Sequence, residues 1–400
     1  MGQPRVLVTG GAAAYDIRDF LTRASVPFEY RDDEGPPGVA VCTIDDECLT
    51  SPTLPEVARH LGLLKDPVRD HYDLGIVGAG PAGLAAAVYA ASEGLSTVLV
   101  EEFAPGGQAG TSSRIENYLG FPDGISGAEL AARARRQAEK FGAEILLLRS
   151  IVEGGPEDGG FFARLADGHV LHTTTALVST GVDWRRLDVP GVDRLMHAGV
   201  YYGAASSEAP GVMGKDVFII GGGNSAGQAA MNFAGWARSV TMVVRHDGLA
   251  ETMSDYLCRR IEESPKITVR PCTDVVRLDG DDWLRTVTLR DLRTSREETV
   301  PAHAVFICIG GVPRTGWAES DEIVTDSGGY IVTGRDMFDP GLGLERQVWS
   351  LDRDPFHLET SVPGLFAAGD VRHGSTKRVT AAVGEGAMAV PLIHRYFRER

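Results

Sequence analysis

Cysteine is scarce in this sequence and is never closely paired. The five cysteines are scattered over 400 residues, at Cys42, Cys48, Cys258, Cys272 and Cys308. No two of them have the spacing C-x-x-C, and their number is odd. This usage favours a reducing cytoplasm in which most thiols are buried and inert.

Long apolar runs and an excess of positive charge are also missing. No stretch has the apolar length that spans a bilayer, and the N-terminus lacks the order of a signal peptide. Basic and acidic residues number 39 and 55, and 39 − 55 = −16, which argues against nucleic acid or an anionic membrane as the main partner. No metal-ligand spacing, Ser/His/Asp signature or P-loop occurs, so we predict no metal site.

Glycine, by contrast, is concentrated in two turn motifs. The first follows a short apolar run and reads Gly78-x-Gly80-x-x-Gly83, before an alanine-rich amphipathic helix to about Ser92 and a second apolar run. This pattern predicts strand, turn, helix and strand. Gly78 permits the sharp turn, Gly80 lets a diphosphate approach the backbone, and Gly83 lets the helix pack closely on the strand.

An acidic residue ends the second strand of this unit. Glu101 lies about 20 residues beyond the glycines, where a carboxylate accepts hydrogen bonds from a ribose diol. The helix N-terminus offers free N–H groups and a positive dipole end to a diphosphate. The unit therefore predicts a dinucleotide site, because a purely structural glycine turn does not account for Glu101.

A second unit of the same kind begins at about Val217. It carries Gly221-x-Gly223-x-x-Ala226, a helix to about Ala234 and a strand that ends at Arg245-His246 without an acid. Two units imply two dinucleotides, one held tightly and one that arrives and leaves. A cation at the end of the second strand suits the 2′-phosphate of NADP, so we favour NADPH over NADH.

Residues 5–64 predict a small α/β unit that resembles a shortened thioredoxin or glutaredoxin. A working redoxin needs a low-pKa cysteine at the start of its first helix, and here that place reads Gly10-Gly11-Ala12-Ala13-Ala14. We expect no redox chemistry from this unit. Further on we predict a helix over 127–141, a β-meander of strands 145–151, 161–165 and 170–172, and a buried strand that ends at Gly181.

From about Tyr72 onward the chain resembles the low-molecular-weight thioredoxin reductases, and within them the branch of fused thioredoxin reductases. The motifs that carry the resemblance occur in family order: Gly78-Ala79-Gly80-Pro81-Ala82-Gly83, Pro105-Gly106-Gly107-Gln108, Glu116-Asn117-Tyr118, Gly221-Gly222-Gly223-Asn224-Ser225-Ala226, Ile309-Gly310, Ala367-Ala368-Gly369-Asp370-Val371, and Lys377-Arg378-Val379 before Gly384-Glu385-Gly386.

The resemblance implies an α/β fold with two Rossmann-like three-layer (ββα) nucleotide-binding domains beside the small redoxin-like domain. The implied segments are 1–70 for the redoxin-like domain and linker, 71–190 and 316–400 for the two parts of the FAD domain, and 191–315 for the NAD(P)H domain. FAD and NADPH, with NADH as an alternative, are the implied cofactors.

The resemblance also implies which residues bind the cofactors. For FAD these are Gly78, Gly80, Pro81, Ala82, Gly83, Glu101, Gly106, Gly107, Gln108, Asn117, Gly181, Gly369, Asp370, Lys377, Arg378 and Val379. For NAD(P)H they are Gly221, Gly223, Asn224, Ser225, Ala226, Arg245, His246 and Gly310. Asp370 would hold the ribityl or diphosphate portion, with a helix N-cap as its alternative role.

One departure from the family concerns its redox cysteines. Thioredoxin reductases carry a C-x-x-C pair before the nicotinamide-binding strand, and here the two places read Gly203 and Ser206. Serine forms neither a thiolate nor a disulfide. The flavin's electrons are therefore expected not to leave through a dithiol at that position. A second departure is Ala250, where the family has another arginine, which weakens the preference for NADP.

Four residues are candidates for chemistry beside the flavin. Tyr202 would line the flavin face that the missing sulfurs leave open, or pack between domains; Gly203 would leave space for a ligand. Ser206 would orient a polar substrate, or act as a loop or helix cap. His373 follows the Asp370 turn and would act as an acid or base.

These observations predict a cytoplasmic FAD-dependent NAD(P)H oxidoreductase that is not expected to reduce thioredoxin. Its flavin would exchange electrons with a small organic substrate or an external acceptor, and the chain would form a homodimer. Two alternatives are an electron-transferring ferredoxin or flavodoxin-NADP reductase and a non-catalytic flavin-binding sensor or docking module. Disulfide reduction through Cys258, Cys272 or Cys308 is a fourth possibility, although none has a partner at motif spacing.

Overall fold

A computed structural model describes residues 4–31, 38–112, 114–203, 210–318, 323–342 and 349–400. Ser206 lies outside these ranges, so the role predicted for it is not addressed by the structure. Within the described residues, no helix combines the length and the apolar character needed to cross a bilayer.

The N-terminal unit is a four-stranded mixed sheet with two helices. Its elements are β1 (Val6–Thr9), α1 (Tyr15–Arg23), β2 (Glu29–Arg31), β3 (Val41–Ile44), β4 (Glu47–Thr50) and α2 (Leu54–His60). The strand order is β2-β1-β3-β4, with β1 parallel to β2 and the other pairs antiparallel. The sequence pattern missed β4, since three of its four residues are exposed and it shows no apolar alternation.

The first nucleotide-binding unit contains six consecutive strands and two helices. They are β5 (His71–Val77), α3 (Pro81–Ser92), β6 (Thr97–Glu101), α4 (Gly127–Lys140), β7 (Glu144–Leu147), β8 (Ile151–Glu157), β9 (Gly160–Leu165) and β10 (Val170–Val178). The sheet order is β7-β6-β5-β10-β9-β8, with β5, β6 and β7 parallel.

Two details of this unit correct the sequence prediction. Residues 145–151 are not one strand of a meander. Residues 144–147 form β7, which pairs in parallel with β6, while the meander consists of β8, β9 and β10. The helix α3 is not amphipathic either, because seven of its twelve residues are buried. It lies between neighbouring helices instead of facing water on one side.

The second nucleotide-binding unit follows, and the chain then returns to the first. The second unit contains β11 (Val182–Trp184), β12 (Val200–Tyr202), β13 (Asp216–Ile220), α5 (Asn224–Ala234), β14 (Ser239–Val243), α6 (Asp255–Glu262), β15 (Ile267–Arg270), β16 (Thr273–Gly280), β17 (Leu284–Asp291), β18 (Glu297–Pro301), β19 (Ala304–Ile307) and β20 (Gly311–Pro313). The returning segment supplies β21 (Leu365–Ala367) and α7 (Val379–Glu399).

Sheet pairing shows how the two units are joined. The second unit has a parallel sheet in the order β12-β19-β13-β14-β15 and a separate antiparallel sheet of β16, β17 and β18. Strand β21 adds in parallel to β10 of the first unit. The outgoing and returning chains pass side by side as the antiparallel pair of β11 and β20. The α/β fold with two Rossmann-like units is as predicted, and the segment boundaries given above stay a prediction.

Candidate functional site

The described residues enclose one large cavity between the two nucleotide-binding units. Its volume is about 1490 Å³, and residues of both glycine turns line it, including Gly80 and Gly223. Pockets for a single small ligand are typically about 300–1,000 Å³. The cavity therefore has room for more than one small ligand, and both turns open into it.

Of the three glycines in the first turn, two are tightly packed and one faces open space. A Cβ at Gly78, whose φ is +100°, would lie 2.6 Å from the Ser179 carbonyl oxygen. A Cβ at Gly83 would overlap the Gly78 carbonyl oxygen and lie 2.6 Å from the Ser179 hydroxyl. At Gly80 a Cβ would meet no atom within 4 Å. The open position is the one at which a diphosphate would approach the backbone.

Glu101 ends β6 at the wall of the cavity and is held by backbone donors. One carboxylate oxygen accepts a hydrogen bond from the Ala79 N–H at 2.7 Å, and the other accepts from the Phe103 N–H at 2.9 Å. A carboxylate offers about four lone-pair positions, so each oxygen retains acceptor capacity. The carboxylate is thus fixed in orientation and retains acceptor positions for the hydroxyl groups of a ligand.

A turn over residues 104–107 packs against the first glycine turn. The Gly106 N–H donates to the Ala79 carbonyl at 2.7 Å, and a Cβ at Gly107 would lie 3.1 Å from the Gly80 Cα. The next residue, Gln108, donates its side-chain amide to the Val182 carbonyl at 2.6 Å. Gly107 and Gln108 line the cavity, as do Asn117 and Gly181, whereas Gly83 and Gly106 support its wall from behind.

The turn that carries Asp370 is fixed from the C-terminal helix. Glu385 on α7 accepts a hydrogen bond from the Gly369 N–H at 2.7 Å and binds the Arg372 guanidinium through both oxygens, at 2.8 and 3.2 Å. Asp370 lines the cavity beside Gly369. Its role as the N-cap of α7 is ruled out, because Arg378 holds that position.

Charges at this end of the cavity are partly desolvated. Burial raises the pKa of the Asp370 carboxyl, although the nearby Lys377 opposes the shift. Burial likewise lowers the pKa of Lys377, whose ammonium donates to the Asp370 carbonyl at 2.7 Å and lies 4.3 Å from the Tyr330 ring centre. Arg378 and Val379 complete this part of the wall.

Three helices begin at the cavity without a side-chain cap. The N-cap residues of α3, α5 and α7 are Gly80, Gly223 and Arg378, and no side chain at these positions accepts a hydrogen bond from a backbone N–H of the first helical turn. By contrast, Ser126 caps α4. Uncapped N–H groups and the positive end of the helix dipole favour anionic ligands. Glycine turns, free helix ends and a prepared Glu101 therefore fit FAD in the first unit and a second dinucleotide at α5.

The second glycine turn differs from the first in the side chains around it. A Cβ at Gly221, whose φ is +136°, would overlap the Cys308 carbonyl oxygen. The Asn224 side chain donates to the Ser254 hydroxyl at 2.9 Å and accepts from the Ser254 N–H at 2.7 Å. Ser225 and Gly310 also line the cavity, whereas Ala226 is buried behind the turn.

Arg245 and His246 lie just beyond β14, at the place that corresponds to Glu101 in the first unit. Arg245 lies 3.6 Å from the Asp274 carboxylate and its side chain is 70% exposed, and His246 lies 3.8 Å from the Glu251 carboxylate. Arg245, His246 and Asp274 all line the cavity. The Arg245 guanidinium is available to a ligand phosphate but shares its charge with Asp274.

Gly203 lies on the cavity wall against an aromatic ring. Its φ is +75°, and a Cβ there would lie 3.0 Å from Trp184 Cζ2 and 3.5 Å from the Thr111 hydroxyl. Trp184 and Thr111 line the cavity as well. The space at Gly203 is therefore bounded by an indole, and a side chain at this position would also require an unfavourable backbone conformation.

Two other candidate catalytic residues, Tyr202 and His373, lie away from the described cavity wall. The Tyr202 hydroxyl accepts a hydrogen bond from the Leu187 N–H at 2.7 Å, and its ring packs on a core cluster of the second unit. His373 Nδ1 lies 2.6 Å from an Asp326 carboxylate oxygen. Neither residue is among the described residues that line the cavity. Their catalytic roles, like that of Ser206, stay predictions.

The three thiols that the sequence left as candidates for disulfide chemistry form no disulfide, and the pKa of each is raised. Burial raises the pKa of Cys308, the cysteine at the cavity wall, to about 12. Burial also raises the pKa of Cys258, and a hydrogen bond to Asp247 raises that of Cys272. A thiol with a raised pKa is a poor nucleophile.

Sequence patterns missed several residues that shape the cavity. Trp184 and Thr111 belong to no recognisable motif. Arg23 lies on α1 of the N-terminal unit and also lines the cavity, but the carbonyl groups to which it donates are 81 to 84 residues away in the chain. Such a contact leaves no local signal in the sequence.

Comparisons with known proteins agree with this arrangement. A family model described as pyridine nucleotide-disulphide oxidoreductase matches residues 72–386. A thioredoxin reductase of Treponema pallidum is 34% identical over 325 residues, which are 81% of this chain and 97% of that protein. A thioredoxin reductase of Neurospora crassa is 33% identical over 339 residues, which are 82% of this chain and 94% of that protein.

Solved structures give the same result. The crystal structure of T. acidophilum thioredoxin reductase superposes with a TM-score of 0.71 at 28% identity, and the match covers 82% of this chain and 99% of that one.

Proposed function

The chain belongs to the pyridine nucleotide-disulphide oxidoreductase family and is thioredoxin reductase-like, and we propose that it is an FAD-dependent NAD(P)H oxidoreductase that works without a protein dithiol. Its flavin exchanges electrons directly with a small organic substrate or an external acceptor. The protein is not a reductase of thioredoxin, although several relatives carry that name. We also propose that it forms a homodimer, which sedimentation of the purified protein checks.

One observation supports this proposal above the others. A single cavity joins both glycine turns, and Gly203, where the family resemblance implies a cysteine, faces Trp184 in its wall. Among the described residues of the wall, Cys308 is the one cysteine, and its thiol pKa of about 12 keeps it protonated at neutral pH. A thiol relay therefore has no nucleophile at the described wall.

The residues of the cavity bind, orient and supply charge. FAD, when bound, supplies the hydride acceptor and the site of electron storage. The free N-termini of α3 and α5 would each hold a diphosphate, and Glu101 would accept hydrogen bonds from the ribose hydroxyls in the first unit. Lys377 and the N-terminus of α7 also line the cavity, and their positive charge would stabilise negative charge on a bound ring.

Rapid mixing of the purified protein with NADPH in the absence of oxygen tests the proposal. We expect the flavin absorbance to bleach, and then to recover when quinones, dyes or candidate metabolites are added. When oxidised thioredoxin is added instead, the flavin should stay bleached. Reduction of thioredoxin at the rate of flavin reduction, or a flavin that no nicotinamide bleaches, would reject the proposal.

A variant in the second glycine turn tests where the nicotinamide nucleotide binds. A Cβ at Gly223 would meet no atom closer than 3.9 Å, so Gly223→Ala should fold and retain its FAD. The added methyl group lies where the second diphosphate approaches, and we expect slower bleaching by NADPH. Unchanged bleaching would place the nicotinamide elsewhere.

Arg245 should determine how strongly NADPH is preferred. We expect Arg245→Met to weaken NADPH binding roughly tenfold, the lower end of the about 1.5–3 kcal/mol of a hydrogen bond to a charged group, since the side chain is largely exposed. NADH binding should change little, because it has no 2′-phosphate. Titration of each nucleotide measures the effect.

Arg270 serves as the control for this substitution. It lies on the adjacent strand β15, pairs with Glu298 and is not among the described residues that line the cavity. Arg270→Met should leave both nucleotide affinities unchanged. An equal loss of NADPH and NADH binding in Arg245→Met would show that the arginine does not recognise the 2′-phosphate.

A further inference from the structure

The 104–107 turn faces the cavity on one side and the N-terminal unit on the other. Gly107 lines the cavity, and Gly106 is hydrogen-bonded to the first glycine turn through Ala79. The fully buried Ala104 belongs to the hydrophobic core of the N-terminal unit, and Phe103, which also lines the cavity, packs against that core. A change in that unit therefore reaches the cavity wall through this turn.

Arg23, the last residue of α1, holds the turn by its carbonyl groups. Its Nη2 atom donates to the carbonyl oxygens of Ala104 at 2.9 Å and Gly107 at 3.1 Å, and its Nε atom donates to that of Pro105 at 3.4 Å. The guanidinium also lies 5.1 Å from the Phe103 ring centre. Arg23 is 8% exposed, so little water competes for these bonds.

Three carbonyl groups that converge on one buried point repel each other unless a donor lies between them. An arginine suits this task, because its planar guanidinium carries five N–H donors in a fixed geometry and is always charged. A buried acceptor that loses its partner costs about 1–3 kcal/mol. Without Arg23 the turn would have to rearrange to rehydrate its carbonyls, and Gly107 would move with it.

Asp19 completes the arrangement one helical turn earlier on α1. Its carboxylate lies 3.4 Å from Arg23 Nη1, and the two side chains are 13% and 10% exposed. The pair directs the guanidinium toward the turn, because Nη1 is engaged by Asp19 while Nη2 and Nε face the carbonyls. Arg23 is itself part of the cavity wall.

We propose that Arg23 is a positioning residue for FAD and that the N-terminal unit, which lacks a redoxin's cysteine, is retained as a structural part of the FAD site. Arg23 sets the 104–107 turn at the distance from Gly80 that the bound cofactor requires. The inference rests on the proposed function in one respect, namely that FAD occupies the cavity of the first unit.

The test compares three substitutions in the full-length protein. Arg23→Met removes the N–H donors but keeps a side chain of similar length. Arg23→Lys retains the positive charge but lacks the planar, forked set of N–H donors of the guanidinium. Val57→Ala is the matched control, since Val57 is fully buried in the same core on α2 and does not line the cavity. For each, the FAD dissociation constant, the absorption and circular dichroism spectra of the bound flavin and the melting temperature of the apoprotein are measured.

We expect Arg23→Met to weaken FAD binding at least tenfold and to alter the flavin spectra, with Arg23→Lys in between. Val57→Ala should lower the melting temperature and leave FAD affinity and spectra as in the wild type. Wild-type affinity in Arg23→Met would overturn the inference, and so would an equal loss of affinity in Val57→Ala. If Arg23→Met does not fold, the FAD affinity and flavin spectra of Arg23→Lys test the inference by the same criteria.

Failure of the inference is distinguishable from failure of the proposed function. A wild-type protein that binds no FAD contradicts both. A wild-type protein that binds FAD and is bleached by NADPH, together with an Arg23→Met variant that binds FAD equally well, contradicts the inference alone.

Discussion

Gly83→Ala is expected to lower the free energy of unfolding of the apoprotein by about 3 kcal/mol, near the upper end for overpacking. The new Cβ would overlap the Gly78 carbonyl oxygen and approach the Ser179 hydroxyl. The carbonyl oxygen is a backbone atom, and the hydroxyl is held by hydrogen bonds to the Val77 and Gly78 carbonyls, so α3 must move away from β5 to make room. We expect the FAD content of the purified variant to fall together with its stability.

Gly80→Ala is the control from the same turn. Its Cβ would contact nothing within 4 Å, and the φ of −71° suits alanine. We therefore expect wild-type stability of the apoprotein but weaker FAD binding, because the methyl group projects where the diphosphate comes closest. Urea unfolding and FAD titration separate the two effects. Equal stability losses in both variants would contradict the assignment of different tasks to these glycines.

Arg353→Met should lower the free energy of unfolding by about 3–5 kcal/mol, the usual cost of leaving a buried charge unpaired. Arg353 binds both oxygens of Glu359 at 2.7 Å, and Glu359 is 0% exposed. The same carboxylate accepts the Phe356 N–H at 2.9 Å and the Gly364 N–H at 3.1 Å. The network therefore holds the chain that leads into β21.

Arg335 provides a comparison with an exposed ion pair. Its guanidinium lies 3.0 Å from the Asp354 carboxylate, but its side chain is 84% exposed. Exposed pairs contribute about 0–1 kcal/mol, so Arg335→Met should unfold in urea almost as the wild type does. A loss in Arg353→Met no larger than that in Arg335→Met would show that Glu359 finds other partners or becomes protonated.

Both nucleotide-binding units could be predicted from the sequence because their signals are local. Gly78 and Gly221 have positive φ and a close backbone contact. A position with such requirements can be recognised in the sequence by the glycine itself. The acid or cation at the end of the second strand is equally local, as with Glu101 and Arg245. The α/β fold follows from such units, since each one specifies strand, turn and helix.

Features set by distant contacts were missed or wrongly predicted. Helix α3 is predicted to be amphipathic, but α7 covers it, and a Cβ at Gly386 on α7 would overlap the Ala82 carbonyl oxygen. Strand β4, the antiparallel partner of β3, was missed because most of its residues are exposed. The turn between the two strands also contains a non-glycine residue with positive φ, Asp45 at +52°. Trp184 reaches Gly203 only after the fold has formed.

The hydrophobic core of the N-terminal unit is incomplete within its own chain segment. Ala104, Phe103 and Leu148, all from the first nucleotide-binding unit, complete it, and Phe20 meets Phe103 edge to face at 6.2 Å between ring centres. Folding of the two units is therefore cooperative in the thermodynamic sense, because neither buries its full apolar surface alone. A protease cut in the linker before β5 would leave the halves associated until that shared core melts.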